Sequence, residues 1–222
     1  MTITVYSVSG APRAWRLLAG LAFKQLDYNI KLLDFSKGEH KSLAFLAINP
    51  RGTVPVLTDG STIIRDSMAG LLWLDRAYPE RPIFGTTSPE SAEILQASFE
   101  VADYLRAATS DLLEPVFFGG VTTKTPELEE AAQNMKEEIF KLETLLGEKP
   151  FLMGDKPTAV DAIAYPEIRI VQRAILTKTA LMSDLGFGDL QSLFPGIADW
   201  EIRVSELPGM EKTYPPHWHK AA

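Results

Sequence analysis

The sequence contains no cysteine among its 222 residues. This absence excludes disulfide bonds, metal sites built on thiolates and any redox cycle that uses a thiol of the protein. Sulfur chemistry would therefore have to use a sulfur atom that a substrate brings. Histidine is also scarce, and because two of the three histidines, His217 and His219, lie near the C-terminus, we expect no metal site.

Long apolar runs are missing as well. No window of the sequence approaches the roughly 18 consecutive apolar residues that a membrane-spanning helix needs. Residues 1–6 lack the basic region and the long apolar run of a signal peptide, and they predict a strand instead. We therefore expect a cytoplasmic protein that does not enter the membrane.

Positive charge is in short supply, since the net charge is −7. This balance argues against a nucleic-acid partner. The charge is unevenly spread: residues 1–81 contain 10 Lys and Arg against 7 Asp and Glu, and residues 82–222 contain 12 against 22. A mildly basic first part suits a small anionic ligand, although two domains of different surface composition would give the same counts.

The periodicity of apolar residues predicts alternating strands and helices in the first 81 residues. Strict alternation of β-branched residues indicates strands, and apolar residues three or four positions apart indicate helices. Asp59-Gly60 between two apolar runs indicates a hairpin. The predicted elements are strands at 2–6, 28–33, 54–57 and 61–65 and helices at 12–25, 43–47 and 67–78. This order, βαβαββα, is that of the thioredoxin fold.

The remainder of the chain shows helical signals alone. Ser88 and Thr125, each followed by a proline, predict helix N-termini, and Thr158 with Asp161 predicts a capping box. A core-facing stripe is predicted at Leu128, Ala131, Met135, Ile139, Leu142 and Leu146. We therefore expect a thioredoxin-like domain at 1–81, a linker at 82–89 and an all-helical C-terminal domain at 90–222, whose last helix runs from about 197 to 207.

One candidate binding element is Thr53-Val54-Pro55, at the start of a predicted strand. A proline there has no N–H for the strand ladder, so pairing ends at this point. If the peptide bond before Pro55 is cis, Val54 turns its N–H and C=O outward, and an extended peptide can pair with it as an additional strand. An ordinary edge proline is the alternative interpretation.

Two pairs of polar residues lie on either side of this element in the sequence. Ser67 at a predicted helix N-terminus offers an N–H, a hydroxyl and the positive end of the helix dipole to a carboxylate, while Asp66 can hold an ammonium group. His40 and Lys41 offer a basic site on a loop. Asp66 as a plain helix cap and His40-Lys41 as a solvated pair are the alternatives. Together with Val54, the groups describe a receptor for a tripeptide such as glutathione.

Several runs of the sequence resemble the cytosolic glutathione transferases, with the theta-like and related bacterial serine-type members as the most similar. The runs are Gly38–Ser42, Asn49–Leu57, Asp66-Ser67 and Phe151–Asp155 with Thr158 and Asp161. The resemblance implies that glutathione is a co-substrate and that the protein is a homodimer with sites near the interface. It also implies glutathione contacts from His40, Lys41, Thr53, Val54, Asp66 and Ser67, with Pro55 cis.

The sequence departs from this family where many members have a catalytic serine, because Ala11-Pro12 stands there. An unperturbed thiol has a pKa of about 8.5, and lowering it by two units needs about 2.7 kcal/mol of stabilisation of the thiolate. One or two hydrogen bonds to a charged acceptor can supply this amount. Ser9 is our first candidate donor and Ser7 the second; Tyr6, Arg13 and backbone N–H groups are alternatives.

The expected activity is conjugation of the glutathione thiolate to small apolar electrophiles, with peroxidase activity as an addition. Tyr104, Phe117 and Phe118 are candidates for an apolar wall of the electrophile site, or core residues. The tail at 215–219 folds over the site or is frayed. Because Ala11 replaces the usual serine, a non-catalytic binding or assembly module is the alternative function. An isomerase of the maleylacetoacetate type is disfavoured, since its Ser-Ser-Cys signature is missing.

Overall fold

The computed structural model describes residues 2–220, without the side chains of His219 and Lys220. Met1 of the predicted first strand segment and the side chain of His219 in the tail therefore lie outside the described part. The chain forms two compact units, one of Met1–Thr86 with Leu207–Ala222 and one of Thr87–Glu206. Among residues 2–220, none of the helices could span a membrane.

The first unit contains a four-stranded sheet in the order β2-β1-β3-β4. Strands β1 and β2 are parallel, and the pairs β1–β3 and β3–β4 are antiparallel. The elements are β1 (Ile3–Ser7), α1 (Pro12–Phe23), β2 (Tyr28–Leu32), α2 (Leu43–Ile48), β3 (Val56–Asp59), β4 (Thr62–Ile64) and α3 (Ser67–Ala77). Short 3₁₀ segments lie at Glu39–Lys41, Met210–Thr213 and Pro216–Lys220. The thioredoxin-like βαβαββα order is confirmed.

The hairpin turn lies one residue later than the sequence indicated. Asp59 pairs with Thr62, so the turn consists of Gly60 and Ser61 rather than of 58–60. Gly60 has φ of 58°. The two-residue turns that match the strand twist need a positive φ, which glycine adopts without steric cost. The glycine therefore occupies the first of the two turn positions.

Helices α1 and α3 pack closely because each has a glycine at the contact. A Cβ on Gly20 would collide with Leu71, and a Cβ on Gly70 would lie 2.9 Å from a methyl carbon of Leu17. At the end of α1 the buried Lys24 ammonium lies 3.6 Å from the Asp75 carboxylate of α3. These contacts hold α1 and α3 against each other.

The second unit is helical, as expected. It contains α4 (Ser88–Glu100), α5 (Arg106–Phe117), α6 (Pro126–Leu146), α7 (Ala159–Thr177), α8 (Thr179–Asp184), α9 (Leu190–Leu193) and α10 (Pro195–Ser205), with a π-helical turn at Val101–Leu105 between α4 and α5. The predicted stripe on α6 is buried at all six positions. The all-helical C-terminal part of the predicted fold is confirmed.

Two predicted caps in this unit are confirmed and one is wrong. Thr125 caps α6, and Thr158 with the fully buried Asp161 forms the capping box of α7. The cap of α4 is Thr87 rather than Ser88. The reason is the position of Glu90, which is the third helical residue after Thr87 and returns the reciprocal hydrogen bond of a capping box.

The end of the chain belongs to the first unit rather than to the helical one. We expected one domain at 90–222, whereas residues 207–222 group with the sheet. The reason is aromatic packing: the buried Trp218 ring meets the Trp15 ring of α1 edge-on, with 5.3 Å between the ring centroids. The domain limits at 81 and 90 stay a prediction.

Candidate active site

The loop before β3 is held in shape by hydrogen bonds from three surrounding side chains. The buried Asn49 amide donates to the carbonyl of Thr53 at 2.7 Å. Arg65 Nε donates to the carbonyl of Ile48 at 2.6 Å, and Lys41 Nζ donates to that of Arg51 at 3.3 Å. Because these bonds occupy the carbonyls of Ile48, Arg51 and Thr53, the loop presents the following residues in one defined conformation.

Val54 is the residue that this loop presents. The peptide bond between Val54 and Pro55 is cis, as predicted. Neither the N–H nor the C=O of Val54 forms a hydrogen bond with any other residue in the part of the chain that the structure describes. Pairing with β1 begins only at Val56, which lies opposite Tyr6. Val54 thus has a free donor and a free acceptor where an extended peptide can pair.

Asp66 caps α3, which was the alternative to a role in binding an ammonium group. One carboxylate oxygen, Oδ1, accepts from the N–H groups of Met68 and Ala69, both at 2.9 Å. The other oxygen, Oδ2, accepts no hydrogen bond from the residues described, and Asp66 is exposed. Capping and ligand binding are therefore compatible, because they use different oxygens. Ser67 follows as the first residue of α3, with its side chain buried.

His40 and Lys41 lie against the same loop. A Cβ on Gly52 would lie 2.7 Å from the His40 carbonyl oxygen and 2.8 Å from Lys41 Nζ, so only glycine lets the two segments approach. The His40 ring stacks on Phe35 with 3.9 Å between the centroids, and its Nδ1 is buried without a hydrogen-bond partner among the described residues. The structure brings this pair next to the loop that ends in Val54.

The loop between β1 and α1 separates the two serine candidates. Ser7 is buried, and its hydroxyl donates to the carbonyl of Val8 at 3.1 Å. Ser9 is half-buried, and its Oγ lies 2.8 Å from Nδ1 of His217. Tyr6 faces elsewhere, since its hydroxyl accepts from Lys31 Nζ at 3.4 Å and its ring lies 5.6 Å from that of Phe45.

His217, in the tail, is a site residue that the sequence did not indicate. It is 208 positions from Ser9, and no local pattern indicates their contact. A cavity of about 130 Å³ lies beside this pair, and its lining includes Ser7, Ser9, Trp15, Tyr214 and Pro215. The tail at 215–218 therefore lies over the β1–α1 loop, which favours the folded tail over the frayed one.

The three aromatic candidates for the electrophile site lie in the helical unit. Tyr104 is 64% exposed and Phe118 is 85% exposed, so neither belongs to the core. The two line different cavities, of about 490 Å³ for Tyr104 and about 750 Å³ for Phe118. Phe117 is half-buried, with its ring 6.4 Å from that of Phe118. Within this unit the candidates do not form a single apolar wall.

The family of the protein follows from comparison with known proteins. Residues 1–76 match the family model described as glutathione S-transferase, N-terminal domain, and residues 135–180 match one described as the C-terminal domain. A zeta-class glutathione S-transferase from Euphorbia esula is 30% identical over 215 residues, which cover 96% of this chain and 90% of the relative. The chain belongs to the glutathione S-transferase family.

Further relatives agree with this assignment. The theta-1 glutathione S-transferase of Bos taurus is 30% identical over 202 residues, 83% of this chain and 75% of the relative. The crystal structure of a glutathione S-transferase from the Antarctic clam Laternula elliptica superposes with a TM-score of 0.84 at 27% identity, covering 99% of this chain and 95% of that one. As a glutathione transferase the protein is an enzyme, and the resemblance drawn from the sequence is confirmed at the level of the family.

Proposed function

We propose that the protein conjugates the thiolate of glutathione to small apolar electrophiles, with glutathione bound as an extra strand along Val54. The observation that carries this proposal is the free N–H and C=O of Val54, which in the chain follows a basic turn and precedes a helix N-terminus. A tripeptide with an amino-acid head, an extended middle and a carboxylate end fits these three places in order.

The head of glutathione would bind at the start of α3. Its α-carboxylate would accept from the N–H and hydroxyl of Ser67, where the helix dipole also favours a negative charge. Its ammonium group would donate to Oδ2 of Asp66, the oxygen that the cap leaves unused. Hydrogen bonds to charged partners are the stronger kind, so this end supplies much of the affinity.

The middle and the far end of glutathione would follow the loop. The cysteinyl residue would exchange two backbone hydrogen bonds with Val54, beside Thr53 and Pro55. The glycine carboxylate would bind His40 and Lys41, which lie against Gly52. The buried, unpartnered Nδ1 of His40 supports this assignment, because a buried polar atom normally has a hydrogen-bond partner.

Ser9 is the donor that we assign to the sulfur. Each serine hydroxyl has a single proton. Ser7 already donates its proton to the Val8 carbonyl, whereas Ser9 faces a histidine nitrogen that can itself donate. A hydrogen bond from Ser9 to the thiolate would supply about half or more of the 2.7 kcal/mol that a two-unit fall in pKa needs.

The electrophile would bind against side chains of the helical unit, with Tyr104, Phe117 and Phe118 as candidates. The choice of electrophile, the peroxidase activity, the homodimer and the cytoplasmic location are parts of the same proposal. They rest on the apolar character of these exposed rings and on the resemblance to the cytosolic members of the family.

The test is conjugation of a chlorinated nitrobenzene by the purified protein. The thiolate sulfur attacks the ring carbon and forms the C–S bond, the C–Cl bond breaks, and chloride leaves with the electron pair. We expect a rate above background and retention of the protein on a glutathione matrix. Retention without turnover of several electrophiles and of an organic peroxide would favour the non-catalytic module. Failure to bind glutathione would overturn the proposal.

A further inference from the structure

The contact between Ser9 and His217 joins the candidate sulfur donor to the end of the chain. Ser9 Oγ and His217 Nδ1 are 2.8 Å apart, which is a good hydrogen-bond distance. The donor and the acceptor in this pair depend on which ring nitrogen of the histidine carries a proton. The protonation of His217 Nδ1 therefore decides whether the Ser9 proton is available for the sulfur.

The tail that presents His217 is fixed in place by its own packing. Trp15 Nε1 donates to Thr213 Oγ1 at 2.8 Å, and the buried Trp218 ring packs on the Trp15 ring. Gly10, with φ of 79°, lies directly under the tail, because a Cβ on it would be 3.3 Å from both His217 Cε1 and Trp218 Nε1. The histidine is thus held against the β1–α1 loop and does not merely approach it from solvent.

His217 can either accept a hydrogen bond from Ser9 or donate one to it, and the two cases have opposite effects on the sulfur. If Nδ1 is unprotonated, Ser9 must donate its only proton to it, and the sulfur receives none. If Nδ1 carries a proton, it donates to Ser9 Oγ, and the Ser9 proton stays available for the sulfur. A thiolate is a charged acceptor and a stronger one than a neutral imidazole nitrogen. Binding of the thiolate therefore favours the second arrangement.

We propose that His217 is a positioning residue that donates from Nδ1 to Ser9 Oγ, so that Ser9 donates in turn to the glutathione sulfur. This relay rests on the proposed function. Hydrogen bonds arranged in a chain polarise and strengthen one another, so the His217 donor makes Ser9 a better donor. Lys212 is the charged side chain that lines the adjoining cavity, and Arg13 is exposed on the first turn of α1. Neither supplies the directed contact that His217 makes.

The test compares the pKa of bound glutathione, measured from the ultraviolet absorbance of the thiolate, in the full-length protein and its variants. In His217→Leu we expect this pKa to rise by about half a unit to one unit, as loss of one hydrogen bond predicts. His217→Asn places an amide N–H near the position of Nδ1 and should restore most of the effect. Glu211→Gln, an exposed change in the same tail, is the matched control and should leave the pKa unaltered.

A second readout separates the relay from a purely structural role of the tail. In a Ser9→Ala background, His217→Leu should cause no further rise, because the effect passes through Ser9. The nitrogen NMR signals of His217 should move toward the form protonated at Nδ1 when glutathione is added.

Three results with the variants would overturn the relay. An unchanged pKa in His217→Leu would remove the role of His217, and a lower pKa would show that the histidine competes for the Ser9 proton. An equal rise in the Ser9→Ala background would make the effect independent of Ser9. If wild-type protein binds no glutathione, the proposed function fails and the relay fails with it. If wild-type protein binds glutathione with a lowered thiol pKa and the variants show no shift, the relay alone fails.

Discussion

Two loops of the first unit differ in how they are held in place. The loop that ends in Val54 is fixed by near neighbours in the sequence: Asn49 lies within five positions, and Lys41 and Arg65 within about a dozen. The loop that contains Ser9 is covered by residues from the other end of the chain, of which His217 is the nearest to the hydroxyl. The first loop has the pattern of the family, and the second departs from it at Ala11.

We propose that the two loops have different roles. The Val54 loop, which is held by hydrogen bonds from residues near it in the sequence, would bind glutathione. The loop of Ser9, which is covered by the distant tail, would act on the thiol of the bound glutathione. We expect changes in the Val54 loop to alter glutathione affinity and changes in the Ser9 loop to alter the reactivity of the bound thiol.

The largest effect is expected from Ser9→Ala. Removal of a hydrogen bond to a charged acceptor costs about 1.5 to 3 kcal/mol, so kcat/KM for conjugation should fall by roughly 10- to 100-fold. Ser7→Ala is the matched comparison, because the Ser7 proton is already donated to the Val8 carbonyl, and its loss should be several times smaller. Steady-state kinetics below saturating glutathione checks both. A larger loss in Ser7→Ala would reverse our order of the candidates.

Two substitutions of Asp66 distinguish its role as a helix cap from its proposed role in binding glutathione. Asp66→Asn keeps an oxygen for the Met68 and Ala69 N–H groups but removes the charge, so stability should hold while glutathione affinity falls by about tenfold. Asp66→Ala should lose affinity and also about 1 kcal/mol of stability, because the cap is lost. Calorimetric binding and chemical unfolding measure the two effects. Normal glutathione affinity in Asp66→Asn would leave Asp66 as a cap alone.

Gly10→Ala should push the tail away from the loop that contains Ser9. Alanine at φ of 79° costs about 1 to 2 kcal/mol, and its Cβ would press on His217 and Trp218. We expect a several-fold lower kcat with a nearly unchanged glutathione affinity, together with a melting temperature lower by a few degrees. A fall in affinity with an unaltered kcat would contradict the division of roles between the two loops.

The smallest effect is expected from Lys41→Met. Lys41 is exposed, and exposed ion pairs contribute about 0.2 to 1 kcal/mol, so glutathione affinity should fall by about fivefold or less. The remaining affinity should depend less on salt than that of the wild-type protein, because one screened attraction is gone. Binding measured at two ionic strengths checks this, and an unchanged salt dependence would place the glycine carboxylate away from Lys41.

Most of the fold could be predicted from the sequence, because its signals are local. Period-2 strands, the stripe on α6 and the capping box of α7 each depend on residues within a few turns of one another. The cap of α4 was misplaced by one residue because Thr87 and Ser88 are both good caps, and only Glu90 decides between them. The short helices α8 and α9 gave too few residues for a period to be recognised.

The candidate site could be predicted only in part, for the same reason. Val54, Asp66 and Ser67 stand at characteristic spacings, and Val54 and Asp66 have the free groups that the proposal needs. The contact of His217 with Ser9 depends on the docking of Trp218 against Trp15, which is tertiary packing between the two ends of the chain. No spacing in the sequence reports such a contact.

The most direct measurement is the pKa of glutathione bound to the wild-type protein and to Ser9→Ala. We expect a thiol pKa well below the free value of about 8.5 in the wild-type protein and a rise of about one to two units in the variant. Glutathione that binds with an unshifted pKa, or a lowered pKa that Ser9→Ala leaves unchanged, would contradict the role of Ser9 as the thiolate donor.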